Sequence, residues 1–420
     1  MKRVLIVLIL VICALVFTSP VKADIAPPEQ PSGPNIEPGT GFTMVRMSSE
    51  LVVIKVSAET PKGSLGQAAV TASFNMHNLG TEDEKLQVRF PVAADDGWGN
   101  LREIKNVAVK VEGSTVPTRR ITGVSQTYGG EEIPWVQFPV AFPAGKDVYV
   151  QVSYTLEASG MDPFIWFTYT LSTGAGWQGT IGSANIIVEL PYTATPQNVM
   201  MGSANSEFTN TVQNGVLHGR NVIWNFVNFE PEEWADFKVE LVAPSAWQEV
   251  LKYQAITASS PNDGESWGLL ARAYKQLVFS PRRGFGLHGD TLPEFPTREL
   301  YRLSRQAYTK ALALKPEDPL WHAGYADLLA QYAYWGHWSM NTIPEAQEAM
   351  RQIKTALTLA PDNLQVQEIA QSVYFNLEDG MVQTGENTYD YPWLTASPTP
   401  TITPTPTPTI SPTLLAKHTP

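Results

Sequence analysis

The sequence predicts a multidomain protein in which β structure precedes α structure. An antiparallel β-sandwich region, either one large sandwich or two in tandem, is followed by a short α-helical repeat, and both ends are Pro-rich and disordered. Three observations carry this expectation. Apolar residues alternate with period two in many short runs between Met44 and Ala243, as half-buried strands require. From Ser245 onward the pattern changes to helices joined by a recurring proline turn. Residues 24–41 and 397–420 have compositions that cannot build a core.

At the N-terminus, Met1, Lys2 and Arg3 precede an uninterrupted apolar run from Val4 to Phe17, and Val21, Lys22 and Ala23 lead into Asp24. A basic start, an apolar stretch and a small-residue cleavage site make residues 1–23 a signal peptide. An uncleaved signal anchor is the alternative. Cys13, the single cysteine, lies in this run behind Ile12, where lipid attachment would need a small residue. Residues 24–41 carry Pro27, Pro28, Pro31, Pro34 and Pro38 and read as an extended arm. The alternating Thr and Pro of 397–420 suit a polyproline II spacer. A linker over 381–396 precedes it. The expected location is secreted or extracellular, with association with the cell surface, and with no membrane span in the mature chain.

Composition narrows the function classes. With 420 residues, 43% hydrophobic and 10% aromatic, the chain can bury more than one core. One cysteine excludes a disulfide scaffold, an iron–sulfur centre and a cysteine zinc site. The formal charge of −12 becomes −15 once Lys2, Arg3 and Lys22 leave with the signal, which opposes nucleic acid as a partner.

Within the β region, 42–243, Val148, Val150, Val152, Tyr154 and Leu156 share one face while Tyr149, Gln151, Ser153 and Thr155 share the other. Val70–Met76, Leu86–Phe90, Phe164–Leu171, Ile186–Leu190, Val222–Phe226 and Phe237–Leu241 behave alike. Turn signals such as Asn78-Leu79-Gly80 and Gly145-Lys146 separate the runs. The stretch from Tyr169 to Ile181, with Gly174, Gly176 and Gly179 around Trp177, resembles a motif of secreted bacterial β-domains of unknown function. A core role is expected for Trp177. Trp98, Trp135 and Trp166 join it as the aromatic residues that could stack on a sugar.

The helical region, 244–380, is punctuated by Ser260-Pro261-Asn262-Asp263, Lys315-Pro316-Glu317-Asp318 and Ala360-Pro361-Asp362-Asn363. In each, proline stops one helix and the acid or amide caps the next. Six helices follow, near 246–258, 264–277, 298–314, 319–334, 344–359 and 363–377. Trp267, Leu270, Ala271 and Tyr274 fit the helix A signature of the tetratricopeptide repeat. Ala349, Ile353, Ala356 and Pro361 fit its helix B spacing, and so do Tyr308, Ala311 and Pro316. The region thus resembles tetratricopeptide-repeat (TPR) proteins, with surplus residues between helix A and helix B. That resemblance implies a groove lined by the A helices at Gly268, Arg272 and Lys275, then Ala323, Asp327 and Ala330, then Glu368, Ser372 and Phe375. The candidate groove-binding residues are Arg272, Lys275, Asp327, Glu368, Ser372 and Phe375. Acids in the later sets depart from the Lys/Asn carboxylate clamp of some members. The β region could instead fill the groove.

Catalytic and cofactor signals are weak. Gly284-Phe285-Gly286-Leu287-His288-Gly289 matches a dinucleotide fingerprint, but it follows a helix and runs into Pro293 where a phosphate-binding helix should begin. The six histidines are scattered, with no H-E-x-x-H and no pair at i, i+4. Arg298, Arg302 and Arg305 read as a solvated face paired to local acids such as Glu299. Acids cluster at Glu82-Asp83-Glu84, Asp95-Asp96 and Glu230, Glu232, Glu233 and Asp236, and solvated turns account for them. The expectation is a non-catalytic protein-interaction scaffold without cofactor or metal, binding a protein or peptide. A carbohydrate-binding or adhesion module taking an envelope glycan is the alternative, and an extracellular hydrolase is a third reading.

Overall fold

A computed structural model describes residues 43–95, 101–125, 131–169, 171, 176–200, 215–230, 237–278, 296–336, 342–378, 382–385 and 388–390. The expected signal, arm and Thr/Pro tail lie outside these residues, as do Trp98, Gly174 and the whole of the 284–289 glycine motif. The chain divides into two compact units, Met1–Pro316 and Glu317–Pro420.

The first unit opens with β1 (Val45–Val56), β2 (Gln67–Asn78), β3 (Glu84–Pro91), β4 (Ala93–Asp95), β5 (Leu101–Glu103), β6 (Lys105–Val111), β7 (Ser114–Thr115) and β8 (Arg119–Ser125). It continues with β9 (Glu131–Phe142), β10 (Asp147–Glu157), β11 (Ser159–Met161), β12 (Phe164–Tyr169), β13 (Ile181–Glu189), β14 (Val216–His218), β15 (Asn221–Phe229) and β16 (Phe237–Val242). Eight of these form one sheet in the order β14-β15-β13-β1-β2-β10-β6-β7. Two three-stranded sheets, β3-β9-β8 and β11-β12-β16, and the β4-β5 pair accompany it.

The expectation of a wholly antiparallel region needs correcting, because β1 pairs antiparallel with β2 but parallel with β13. Period-two alternation tells which side chains share a face and is silent about the direction of the neighbouring strand. The long stretch between β1 and β13 supplies the crossover that a parallel pair needs. A bulge between Met47 and Ser49 interrupts β1. Opposite it, Gly182 leaves room for backbone, since a Cβ there would lie 2.3 Å from the Ser48 carbonyl oxygen.

One face of the large sheet is core. Val52, Ile54, Phe74, Val150, Val152, Ile186 and Val188 are fully buried on it. The smaller sheets contribute partners: Phe90 of β3 meets Tyr154 of β10 at 5.5 Å, and Phe237 of β16 meets Trp224 of β15 edge-on at 4.8 Å. Polar groups enter this core too, with the Tyr169 hydroxyl of β12 donating to Glu50 Oε1 of β1 at 2.6 Å. Trp177 is buried and packs edge-on to Phe142 at 5.9 Å, the core role its surroundings suggested.

Among the described residues of this unit the helices are α1 (Pro244–Ser259), α2 (Gly264–Val278) and α3 (Pro296–Leu314). Proline at the first turn starts α1 without forfeiting a needed N–H. Trp247 of α1 is buried 6.1 Å from Tyr192, whose hydroxyl donates to the Val242 carbonyl. Helix α2 packs on α3 through the small residues Ala271, Ala307 and Ala311, and Ser304 Oγ donates to the Ala271 carbonyl at 2.8 Å.

The second unit holds α4 (Pro319–Gly336), α5 (Ile343–Leu359), α6 (Leu364–Leu377) and a short hairpin, β17 (Val382–Gly385) with β18 (Thr388–Asp390), within the segment read as a linker. Residues Trp321 to Ala330 of α4 are all buried, so this helix shows no polar stripe. Ala346, Ala349, Met350, Gln352, Ile353 and Ala356 are the buried positions of α5, and Val366, Ala370, Val373 and Leu377 those of α6.

The three proline turns are built alike. Asp263 Oδ1 accepts from the N–H groups of Glu265 and Ser266, and Asp318 Oδ1 from those of Leu320 and Trp321. Asn363 Oδ1 accepts from those of Gln365 and Val366. Each cap satisfies orphan amides at the start of its helix. The Ser266 hydroxyl bond, ahead of its N–H, holds the Asp263 carboxyl below the usual range.

Candidate functional site

The groove positions suggested by the repeat fall in both units. In the first, Gly268 is buried, Arg272 is exposed and Lys275 is half-buried on α2. In the second, Ala323, Asp327 and Ala330 are buried on α4, whereas Glu368, Ser372 and Phe375 face solvent on α6. Asp327 and Ser372 are brought together: Ser372 Oγ donates to Asp327 Oδ1 at 3.1 Å, and Gln331 Nε2 donates to Oδ2 at 2.9 Å. Asp327 therefore serves the packing of α4 on α6, because a buried carboxylate needs its donors close by. A second buried polar link joins α4 to α5, where His322 Nδ1 lies 2.5 Å from Gln352 Oε1 and Gln352 Nε2 donates to Glu348.

What α6 displays is apolar at both ends. Leu364 is 74% exposed and Phe375 63%. They lie eleven positions apart, with Glu368 at the fourth and Ser372 at the eighth, so all four share one helical stripe of about three turns.

Two acids of the first cluster have structural employment. Glu84 accepts from Thr43 Oγ1 at 2.6 Å and from the Met44 N–H at 2.8 Å, and Asp83 accepts from the Ala144 N–H. Glu299 is paired with Arg302, which holds its carboxyl below the ordinary range by hydrogen bonding. Glu230 is pushed up by burial. Glu232, Glu233 and Asp236 lie outside the described residues, as does Asp96. Among the described residues no group of three or more His, Cys, Asp and Glu is placed to hold a metal ion.

Trp135, Trp166 and Trp177 are all buried, at 2%, 2% and 4% exposure, so none of the three offers a ring to a sugar. Lys238 Nζ sits 4.4 Å over the Trp166 ring, which closes that face further.

A feature that sequence reasoning missed is the outer face of the large sheet. Pairing registers place residues from successive strands in rows. One row runs Lys110, Gln151, Ser73, Leu51, Asn185, Asn225, and the next runs Ala108, Ser153, Thr71, Val53, Ile187, Ile223. On the opposite side of the first row, Tyr149 lies across from Asn75 and Asn75 across from Ser49. Tyr149 is 42% exposed and Leu51 41%. Gln151 Nε2 donates to Ser73 Oγ at 3.3 Å and reaches the Tyr149 hydroxyl at 3.4 Å. The alternation of β10 had separated Tyr149 and Gln151 from the core residues. Their neighbours on β1, β2, β13 and β15 depend on strand order and register, which period two does not report.

Three comparisons with known proteins accompany this geometry. No protein-family model matches the chain. No curated protein matches it either. Among solved structures, a “putative nutrient binding protein” from Legionella pneumophila subsp. pneumophila str. Philadelphia 1 aligns over 78% of this chain and 98% of its own, at 17% identity and a TM-score of 0.44. An M1 zinc metallopeptidase from Deinococcus radiodurans aligns over 52% of this chain and 45% of its own, at 7% identity and a TM-score of 0.27. At such scores neither neighbour assigns a function to this chain.

Proposed function

We propose that the protein is a non-catalytic binding protein of the cell exterior, a β-sandwich body joined to a TPR-like repeat that acts as a protein-interaction scaffold. The observation that carries the reading is the α6 stripe, where Leu364 and Phe375 stand in solvent on either side of Glu368 and Ser372. Apolar side chains so exposed at helical spacing suit a partner peptide or protein that covers them. The repeat reading is supported by the three proline turns, each capped by an Asp or Asn side chain in the same way. The sandwich reading is supported by the side chains of β3, β12 and β16 that meet the inner face of the large sheet. Strongly shifted tyrosines lie in the core, and shifted carboxylates such as Glu103 and Glu299 are ion-paired to arginines. A scaffold accounts for both without a reaction.

The test is photo-crosslinking from Gln371, which neighbours the stripe, in the full chain incubated with the cell-envelope proteins of its source. One recurrent crosslinked partner, lost in the Phe375→Glu variant, is the expected result. Crosslinks that persist unchanged in that variant, or none at all, overturn the reading.

A further inference from the structure

We propose that the outer face of the eight-stranded sheet binds a neutral polysaccharide laid across the strands. This surface is separate from α6 and its argument does not depend on the scaffold reading.

The chemistry of the face is uniform where it is widest. Across β10, β2, β1, β13 and β15 the outward positions of the two central rows carry only amides, hydroxyls and aliphatic groups, with Tyr149 exposed beside them. Charged groups stand at the margins: Lys55 pairs with Glu189 at 3.6 Å and Lys105 with Glu157 at 2.5 Å, His77 Nδ1 lies 2.6 Å from Asp147, and at the β6 edge Lys110 ends the first row near Glu112, which accepts from the Tyr149 N–H. The field is therefore close to neutral, although the chain as a whole carries −12. A polyanion finds no cationic stripe there, and a basic partner finds no acidic one.

What complements such a surface is a chain that is itself uncharged and dense in both donors and acceptors. An amide offers both, and so does a hydroxyl. Gln151 and Asn75 bracket Tyr149 in one half of the face, while Leu51, Val53 and Ile187 form an apolar strip in the other. Pyranose rings present the same pairing, hydroxyls at the edge and C–H groups on the faces, and they stack on tyrosine through the latter. Strands about 4.8 Å apart repeat at a distance comparable with one sugar unit, so a polymer crossing them meets equivalent groups at each step.

The experiment is affinity electrophoresis of the full chain in native gels containing a soluble β-glucan, a galactomannan or dextran, with polygalacturonate as the acidic control. Retardation by at least one neutral polymer is expected, with none by polygalacturonate. Tyr149→Ala/Gln151→Ala should weaken the dissociation constant at least tenfold while leaving the melting temperature near that of the parent. Asn185→Asp/Asn225→Asp, which puts charge into the field without removing bulk, should do the same. The proposal is overturned if no neutral polymer retards the chain, if polygalacturonate retards it equally, or if both double variants bind like the parent. It is also overturned if the chain self-associates through this face, shown by light scattering that returns to monomer in the same variants without any glycan effect.

Discussion

Tyr154 and Tyr149 lie on the same strand, five residues apart, and live in different solvents. Tyr154 points inward, 4% exposed, with its ring 5.5 Å from Phe90. Burial, and after it the negative charge of Glu50, pushes its hydroxyl well above the ordinary range. Tyr149 points outward, 42% exposed, among amides and hydroxyls. The odd separation decides between them, because successive side chains on a strand point to opposite faces. The inner face spends its polar groups on specifying one packing arrangement, as the Glu50–Tyr169 bond does. The outer face keeps its polar groups available to a ligand. If that contrast is correct, equal chemical changes on the two faces must have very unequal effects on stability.

The largest effect belongs to the inner face. Trp224 is 1% exposed and stacks edge-on against Phe237 at 4.8 Å. Trp224→Ala should lower the unfolding free energy by about 3–5 kcal/mol, through lost burial and the cavity left behind. Urea unfolding followed by circular dichroism reads it directly. A loss under 1 kcal/mol would mean that the two sheets hardly depend on each other.

The next effect is polar. Tyr169→Phe removes the donor held 2.6 Å from Glu50 and should cost about 1–3 kcal/mol, since a buried carboxylate loses one of its hydrogen bonds. The same pair gives a pH dependence. Tyr169 and Tyr154 have their hydroxyls raised well above the usual value, by burial first and by Glu50 next. In the unfolded chain they titrate near pH 10, so above that pH the unfolded state binds fewer protons than the folded one. Stability is thus fully present below about pH 10 and falls as pH climbs from there toward the folded-state values, by up to about 1.4 kcal/mol per pH unit for each tyrosine. Urea midpoints taken between pH 9 and 11 should fall, and the fall should be shallower in Tyr169→Phe.

How far the sequence reveals all this depends on the kind of signal. Helix positions were legible almost to the residue: the stretches 264–277 and 319–334 became α2 (Gly264–Val278) and α4 (Pro319–Gly336), because a proline turn and a capping side chain mark where each begins. Strands with clean alternation, such as Val148–Leu156 inside β10, were legible too. β9 was not, for Pro134 and Pro139 break the pattern although both residues sit in register with β8 and β3. The direction of β13 beside β1 was hidden, since it is a property of the crossover and not of either strand. Of the groove residues that the repeat resemblance supplied, Glu368 and Phe375 lie on an exposed face of α6. Asp327 was not recognised as a packing group, because its partner Ser372 lies 45 residues further on and only the fold brings it within 3.1 Å. The outer-sheet rows required strand order, which no local pattern contains.

The smallest effect is the sharpest test of the contrast. Tyr149→Phe removes a hydroxyl from the same residue type as Tyr169→Phe does, but on the solvent side of the large sheet. The lost contact there is a 3.4 Å approach from Gln151 Nε2, and water can replace it without leaving a buried group unsatisfied. The change in unfolding free energy should therefore lie within about 0.5 kcal/mol of zero, the usual range for surface substitutions. A loss comparable to that of Tyr169→Phe would show that Tyr149 belongs to the structural core. The face would then be a second packing surface, and its neutrality would reflect what it packs against instead of what it binds.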